Sequence, residues 1–245
     1  LAVYLFLKEK DALSAISFGL AVASKWSAVW TAPILFVLWL KRKNKFKAST
    51  FLSFFILPAT FYLLTYFPMF LTGHNLGTWW GMQKQMWWYH TGLEATHPYT
   101  SPWWSWPFMA RPVYLYTSDE VEGVVSRIYA IGNPLVFWFG FASVILCLLY
   151  AYFRKNRNLG FVGFSYLMFF VPWAASPRIM FLYHYLPSIP FLSIATAYIL
   201  RRFPKLAAYY LLLATFLFIY FYPHWAGLSV PLWLDKSYYW LSSWR

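Results

Sequence analysis

The sequence predicts an all-α integral membrane protein, and three observations predict it. Apolar runs of spanning length recur along 245 residues that are 61% hydrophobic and only 11% charged. A helix needs roughly 20 apolar residues to cross the hydrocarbon, and a soluble domain usually carries more than twice that charge. The net charge of +13 is gathered into short clusters between the runs, at Lys41 to Lys47, Arg154 to Arg157 and Arg201 to Lys205. Aromatic residues make up 25% of the chain, and they crowd into one segment between greasy runs, as rings with a polar edge do at a membrane interface.

The elements follow in order. Leu1 to Leu7 is apolar and stops at the charged turn Lys8-Glu9-Lys10-Asp11. Residues 12–24 and 27–40 read as two short helices meeting at Lys25, or as one long kinked helix, with Pro33 permitting a bend. Residues 48–67 form the next span, with Pro58 inside it. Further spans are expected at 134–153, 159–175, 181–200 and 206–222. The whole reads as a single membrane domain over 1–245. Because the chain opens on Leu1 and carries no signal-peptide pattern, it is expected to be the C-terminal part of a longer protein.

Basic loops set the orientation. With the three clusters cytoplasmic, loop 68–133 lies outside, as do the turn Ser176–Arg178 and the tail from Pro223. Such clusters also favour anionic lipid headgroups. They do not form the continuous basic face of a nucleic-acid binder, so no nucleic-acid partner is expected. The lone Cys147 lies in an apolar run and reads as a small packing residue; it allows no internal disulfide and no cysteine metal site.

The outer loop is the centre of the chain. Residues 87–112 hold five tryptophans, two histidines, a glutamate, an arginine and four prolines. Trp79, Trp80, Met82, Met86, Trp87 and Tyr89 predict an interfacial helix with its rings toward lipid and Gln83, Lys84 and Gln85 toward water. Pro98 to Pro112 is too rich in proline for a helix and should be an ordered loop. Asp119, Glu120 and Glu122 form a small acidic patch before the next span.

Ionisable groups at membrane depth are costly and so mark candidate sites. Lys25 reads either as an ammonium for a lipid phosphate or as a lysine snorkelling from a helix end. Arg178, in a short outer turn, offers a planar fork for phosphate oxygens, or anchors at the interface. His184 and Tyr185 nearby would hydrogen-bond a sugar or phosphate, or satisfy a neighbouring helix. His90 and Glu94 stand at i,i+4, so one helical turn would join them. With His97 they would contact a substrate, ligate a metal, or shape the loop, although Pro98 ends any helix at His97. Arg111 divides between locking the loop and touching substrate. There is no glycine-rich phosphate loop, no Gly-x-Ser-x-Gly elbow and no His-Glu-x-x-His. An embedded enzyme of this kind would draw activated substrate from a lipid carrier.

Several of these pieces resemble one family. Tyr89-His90-Thr91-Gly92-Leu93, His97-Pro98-Tyr99, Ser101-Pro102-Trp103, Trp106 and Arg111-Pro112 are similar to the outer loop of bacterial protein O-mannosyltransferases. In the same order, Gly19 to Ser27 with its Lys25-Trp26, Phe181 to Pro187 and the ending Trp240 to Trp244 resemble further segments of that family. The resemblance implies a C-type glycosyltransferase-like multi-helix bundle in the plasma membrane, active on its outer face. It implies transfer of mannose from polyprenyl-phosphate mannose to Ser/Thr hydroxyls of exported proteins, with the translocation machinery as a neighbour. It leaves the need for a divalent metal open.

The implied reaction is inverting, with an aspartate base from an Asp-Glu pair in a first outer loop upstream of the matching part. Asp119-Glu120 follows the aromatic loop and is not given that role, so no catalytic residue is assigned in this chain. The resemblance points to Lys25 and Arg178 for the carrier phosphate. It points to His90, Glu94, His97 and Arg111 for the acceptor side, with His184 and Tyr185 beside them. The competing readings are a transferase acting on a lipid or cell-wall acceptor, and a transporter or scaffold. A transporter tends to show internal repeats, and none is seen.

Overall fold

The computed structural model describes residues 1–42 and 48–245 of the chain. Of the basic cluster Lys41 to Lys47, residues 43–47 therefore lie outside the described residues. The chain divides into two compact units, Leu1–Leu93 and Glu94–Arg245.

The first unit is helical. Helix α1 (Ala2–Leu7) leads into α2 (Asp11–Ser24). A 3-10 turn, Trp26–Trp30, then joins α3 (Thr31–Leu40). The chain thus breaks at Lys25, whose backbone is extended. Helix α4 (Ala48–Leu64) contains Pro58 and packs on α2. Gly19 of α2 sits against the Pro58 backbone, and a Cβ there would lie 2.6 Å from Pro58 Cα. Small residues let membrane helices approach this closely. Arg42 donates to both oxygens of Asp11 at 2.7 and 2.8 Å, which ties the end of α3 to the start of α2. The short helix α5 (Phe67–Leu71) precedes α6 (Leu76–Thr91), which is capped by Asn75 accepting the Thr78 N–H at 3.0 Å.

The second unit holds the longest apolar helices. Helix α7 (Pro134–Arg154) starts where Asn133 caps its first turn and Pro134 occupies N1, a position that needs no N–H. It stops at Lys155, which is left-handed at φ 50°. Asn156 then caps α8 (Arg157–Phe170) at once, so the two helices make a tight hairpin. A 3-10 turn, Val171–Ala175, extends α8. Helix α9 (Ile189–Leu200) has only 12 residues, but the 3-10 turn Leu182–Ser188 runs directly into it. At their respective rises the two together reach roughly 32 Å, enough to cross the hydrocarbon. Helix α10 (Pro204–Ala226) ends at Gly227, whose φ of 67° suits a left-handed cap.

Pro134–Arg154, Arg157–Ala175 and Pro204–Ala226 are long and apolar enough to span a membrane. On α10, Leu211, Leu212, Phe216 and Ile219 point away from the protein core, as lipid-facing side chains do. Cys147 is buried and reduced within this helical core, the packing role expected of it.

The expected helical architecture holds, with one addition. Strand β1 (Val113–Thr117) pairs antiparallel with β2 (Val124–Ala130), and β2 pairs with β3 (Ser229–Pro231). Glu122 and Gly123, both at positive φ, turn the β1–β2 hairpin, the backbone that a two-residue connection favours. The acidic patch is thus the hairpin connection. A final short helix, α11 (Leu232–Ser237), follows β3.

Candidate functional site

In the second unit, the proline-rich loop and the turn before α9 fold onto each other. The Ser101 N–H donates to Met180 O at 2.9 Å, and the Thr100 hydroxyl donates to the same carbonyl at 3.1 Å. The loop is ordered, as expected, and includes a 3-10 turn at Trp103–Phe108. Its anchor is Trp106, which is fully buried and donates its indole N–H to Ser101 Oγ at 3.1 Å. The Trp106 ring stacks on His184 at 5.9 Å and 17°, while Trp173 meets His184 edge-on at 4.5 Å.

His184 is buried, and both of its ring nitrogens have partners. Arg178 Nη2 lies 3.1 Å from His184 Nε2. A guanidinium can only donate, so Nε2 accepts. On its other side Nδ1 lies 3.2 Å from Phe181 N and 3.0 Å from Phe181 O, so the ring is tied to the start of its own turn. His184 therefore holds the Arg178 fork in a fixed plane, and two tryptophans hold His184. Tyr185 is wholly buried; its hydroxyl meets that of Tyr166 at 2.9 Å and its ring packs on Phe137 and Phe170. It belongs to the core behind this pair.

Arg111 closes the loop. It donates to Pro98 O at 3.2 Å and to Ser243 O at 2.9 Å, and it lies over the Tyr99 ring. Of its two readings, these bonds are those of a loop lock. His97 is exposed; its Nδ1 accepts the Tyr99 N–H at 3.2 Å, and its ring meets Phe181 edge-on. Glu94 is exposed. Helix α6 ends at Thr91, so the helical turn expected to join His90 to Glu94 does not form. Gly92 follows and ends the helix before the register can reach Glu94. Among the described residues, no group of three or more His, Cys, Asp or Glu side chains is gathered for a metal ion.

In the first unit, Lys25 precedes Trp26, whose indole N–H donates to the Tyr62 hydroxyl at 2.9 Å. Tyr62 in turn donates to Gln83 Oε1, and the Trp26 ring lies 5.9 Å from that of His90. The expectation that Gln83 faces water is corrected: it is buried. The phenol of Tyr62 supplies the donor that its amide oxygen needs away from solvent. Trp80, Trp87 and Trp88 on the same helix are exposed, as an interfacial helix requires.

A second polar centre of the second unit escaped the sequence reading. Asp235 of α11 is 1% exposed and takes hydrogen bonds from two sides. Arg127 Nη1 donates to Oδ2 and His224 Nε2 donates to Oδ1 at 2.9 Å. Arg127 also donates to the Tyr239 hydroxyl at 2.8 Å. Burial works against the Arg127 charge, but the Tyr239 hydroxyl and the Asp235 carboxylate outweigh it and raise its pKa. Tyr129 stacks flat on His224, 5.3 Å away at 7°, and donates its hydroxyl to Trp244 O at 2.9 Å. Burial first, then the neighbouring tyrosines, push Tyr129 well above the ordinary phenol range. A cleft of about 620 Å³ opens beside this centre. The partners lie up to 115 residues apart, so no local motif announces them.

Tyr239 gives the centre a measurable alkaline signature. Burial, then the Asp235 charge and Tyr114, raise its pKa from 10.0 to about 12 against the opposing hydrogen bond from Arg127. A folded state that binds a proton more tightly than the unfolded chain loses stability as that proton leaves. The contribution is complete below pH 10 and is expected to be lost as pH rises through about 12. Unfolding midpoints of wild type and Tyr239→Phe across this window should show a shallower decline in the variant. An equally steep decline would assign the alkaline loss to other groups.

Fold and site together define a multi-pass membrane protein whose aromatic loop, set beside its spanning helices, fixes an arginine on a buried histidine. Residues 75–244 match the sequence model described as the C-terminal four TMM region of protein-O-mannosyltransferase, and the chain belongs to that family. The four helices α7 to α10 lie within the match. The chain is 27% identical to a polyprenol-phosphate-mannose–protein mannosyltransferase of Corynebacterium glutamicum, over 63% of this chain and 34% of that protein. It is 24% identical to the enzyme of the same name in Mycolicibacterium smegmatis, over 94% of this chain and 57% of that protein. The chain therefore spans about a third to somewhat over half of these relatives. Its fold is similar to the Saccharomyces cerevisiae protein O-mannosyltransferase Pmt1–Pmt2 complex bound to the sugar donor. That match has a TM-score of 0.52 and 21% identity, and covers 66% of this chain and 26% of that one.

Proposed function

We propose that this chain is the C-terminal part of a polyprenyl-phosphate-mannose-dependent protein mannosyltransferase of the plasma membrane, working on its outer face. One observation carries the reading. The region matched to the family contains both the loop at Trp106 and the Arg178–His184 turn, and these fold together in one unit. In the reaction, a Ser or Thr hydroxyl oxygen of an exported protein attacks the anomeric carbon of mannose and its proton passes to a carboxylate. The bond from that carbon to the carrier phosphate breaks, and the phosphate leaves with the electron pair. The carboxylate belongs to the sequence upstream of this region, while Asp119 and Glu120 sit on the hairpin connection.

This chain's contribution is to bind and orient. Arg178 faces the negative charge that grows on the leaving phosphate, where a preorganised donor acts most strongly. His184 positions it. Lys25, after the break between α2 and the Trp26 turn, is the first unit's candidate for meeting a carrier phosphate as a point charge. Arg111 shapes the acceptor side by holding the loop that carries His97, and His90 and Glu94 are the further candidates for contact with the acceptor. Tyr185 supports His184 from the core. The acceptor would arrive extended from the translocation machinery.

The test is mannosyl transfer from polyprenyl-phosphate mannose to a Ser/Thr peptide, using membranes that carry the full-length gene product. Arg178→Ala should lower the rate on the order of a hundredfold, with Arg178→Lys retaining part of it. Wild-type transfer by a folded Arg178→Ala protein would remove Arg178 from carrier binding. Absence of transfer to any hydroxyl peptide, with transfer to a lipid acceptor, would replace the protein acceptor in this reading.

A further inference from the structure

The cleft beside Asp235 has a lining that neither the donor site nor the acceptor loop uses. Tyr114, Tyr129 and Tyr239 give it aromatic walls, Arg127, Lys236 and Arg245 give it donors, and Glu120 gives it an acceptor. Its volume of about 620 Å³ falls in the range of small-molecule sites. Asp235 and His224 keep the Arg127 side in place, since both oxygens of the buried carboxylate are hydrogen-bonded. The cleft therefore has a fixed floor.

The chemistry of this lining selects a ligand class. An anion such as phosphate would meet Glu120, and a cation would meet Arg127 and Lys236. An apolar ligand would strip water from these charged groups, Arg245 included, without replacing its hydrogen bonds. A hydroxyl both donates and accepts, so a ring bearing several hydroxyls satisfies charges of both signs at once. The C–H faces of a pyranose are apolar enough to lie on aromatic rings. The rings also lead somewhere: Tyr99 stacks on Tyr114 at 5.9 Å, and Tyr114 meets Tyr129 at 4.2 Å. Tyr99 belongs to the loop that Arg111 holds, so the aromatic path runs from the acceptor side into the cleft.

We infer that this cleft is a second sugar site, which binds a mannosyl residue already attached to an acceptor protein. The choice of mannose, but not of a pyranoside, rests on the transferase reading above. Occupancy would hold a partly modified acceptor while a neighbouring hydroxyl is presented.

The experiment measures binding apart from catalysis. Methyl α-mannoside, a mannosylated Ser/Thr peptide and the same peptide without sugar are titrated calorimetrically into detergent-purified full-length protein. The mannosylated peptide should bind at least about tenfold more tightly than the plain one. Glu120→Gln and Lys236→Ala, both at exposed positions, should each weaken it by about tenfold or more, the worth of one hydrogen bond to a charged group. Transfer to the plain peptide is measured alongside. Equal binding of the two peptides, or mannoside binding that neither variant alters, would overturn the inference even where transfer proceeds. Preserved mannoside selectivity in a protein that transfers nothing would support the cleft and overturn only the transferase reading.

Discussion

Asp235→Ala is expected to cost the second unit about 3–5 kcal/mol, because it removes one partner of a buried ion pair and leaves the other behind. Asp235 is 1% exposed and Arg127 24%, so the arginine keeps too little water to replace the carboxylate. His224, 3% exposed, loses the acceptor of its Nε2–H in the same step. Asp235→Asn should cost less, since the amide oxygen still accepts one of the two hydrogen bonds. Thermal unfolding of the purified protein in one detergent would show a large drop in midpoint for the alanine variant and a smaller one for asparagine. An alanine variant that unfolds with the wild type would mean that the cluster adds nothing to stability.

Trp106→Ala should be comparably severe, about 3–5 kcal/mol for a fully buried indole. Its effect should also reach Arg178. Without the stacked ring His184 loses one of the walls that hold it, and with it the fixed plane of the guanidinium. Trp106→Phe keeps a ring against His184 and forfeits the hydrogen bond to Ser101. The phenylalanine variant should recover much of the transfer rate along with the fold. If it recovers stability but not transfer, then the indole N–H has a part in positioning that the ring does not supply.

The long helices near 134–153, 159–175 and 206–222 were legible because the bilayer imposes a length, and runs such as Pro134 to Phe153 satisfy it. The break at Lys25 was legible for a related reason: a charge interrupts an apolar run too long for one crossing. Asn133-Pro134 and Asn156 sit where capping chemistry places them, which is why boundaries fell within a few residues. The hairpin was not read, although its signal was present. Val113 to Thr117 and Val124 to Ala130 are β-branched and aromatic runs on either side of a Glu-Gly pair, the pattern of a short hairpin. They stood inside a segment whose tryptophans and prolines dominated the reading.

Gln83 was placed in water on polarity alone, because its donor, Tyr62, comes from another helix. The candidate residues of the site divide along the same line. Arg178 and His184 are six residues apart and were read together. His224 and Asp235 were not read at all, since the third member of their cluster is on β2. Local spacing reports partners within a turn or two of chain; a centre assembled from a strand, a helix end and a tail leaves no such trace.

The way the tail is fastened has a kinetic consequence. The Trp244 indole N–H donates to Met109 O across 135 positions, Arg111 reaches Ser243 O across 132, and Tyr129 reaches Trp244 O across 115. Contacts this distant in sequence are slow to close. During synthesis the helices α7 to α10 can form and pack early, but the loop and the hairpin wait for residues 235–244 before their last bonds exist. Until then the Met109 carbonyl, the Tyr129 hydroxyl and the Asp235 side of Arg127 lack these mates. Assembly of the membrane core and completion of the loop and hairpin are therefore separate events in time, and the second is governed by the arrival of ten residues.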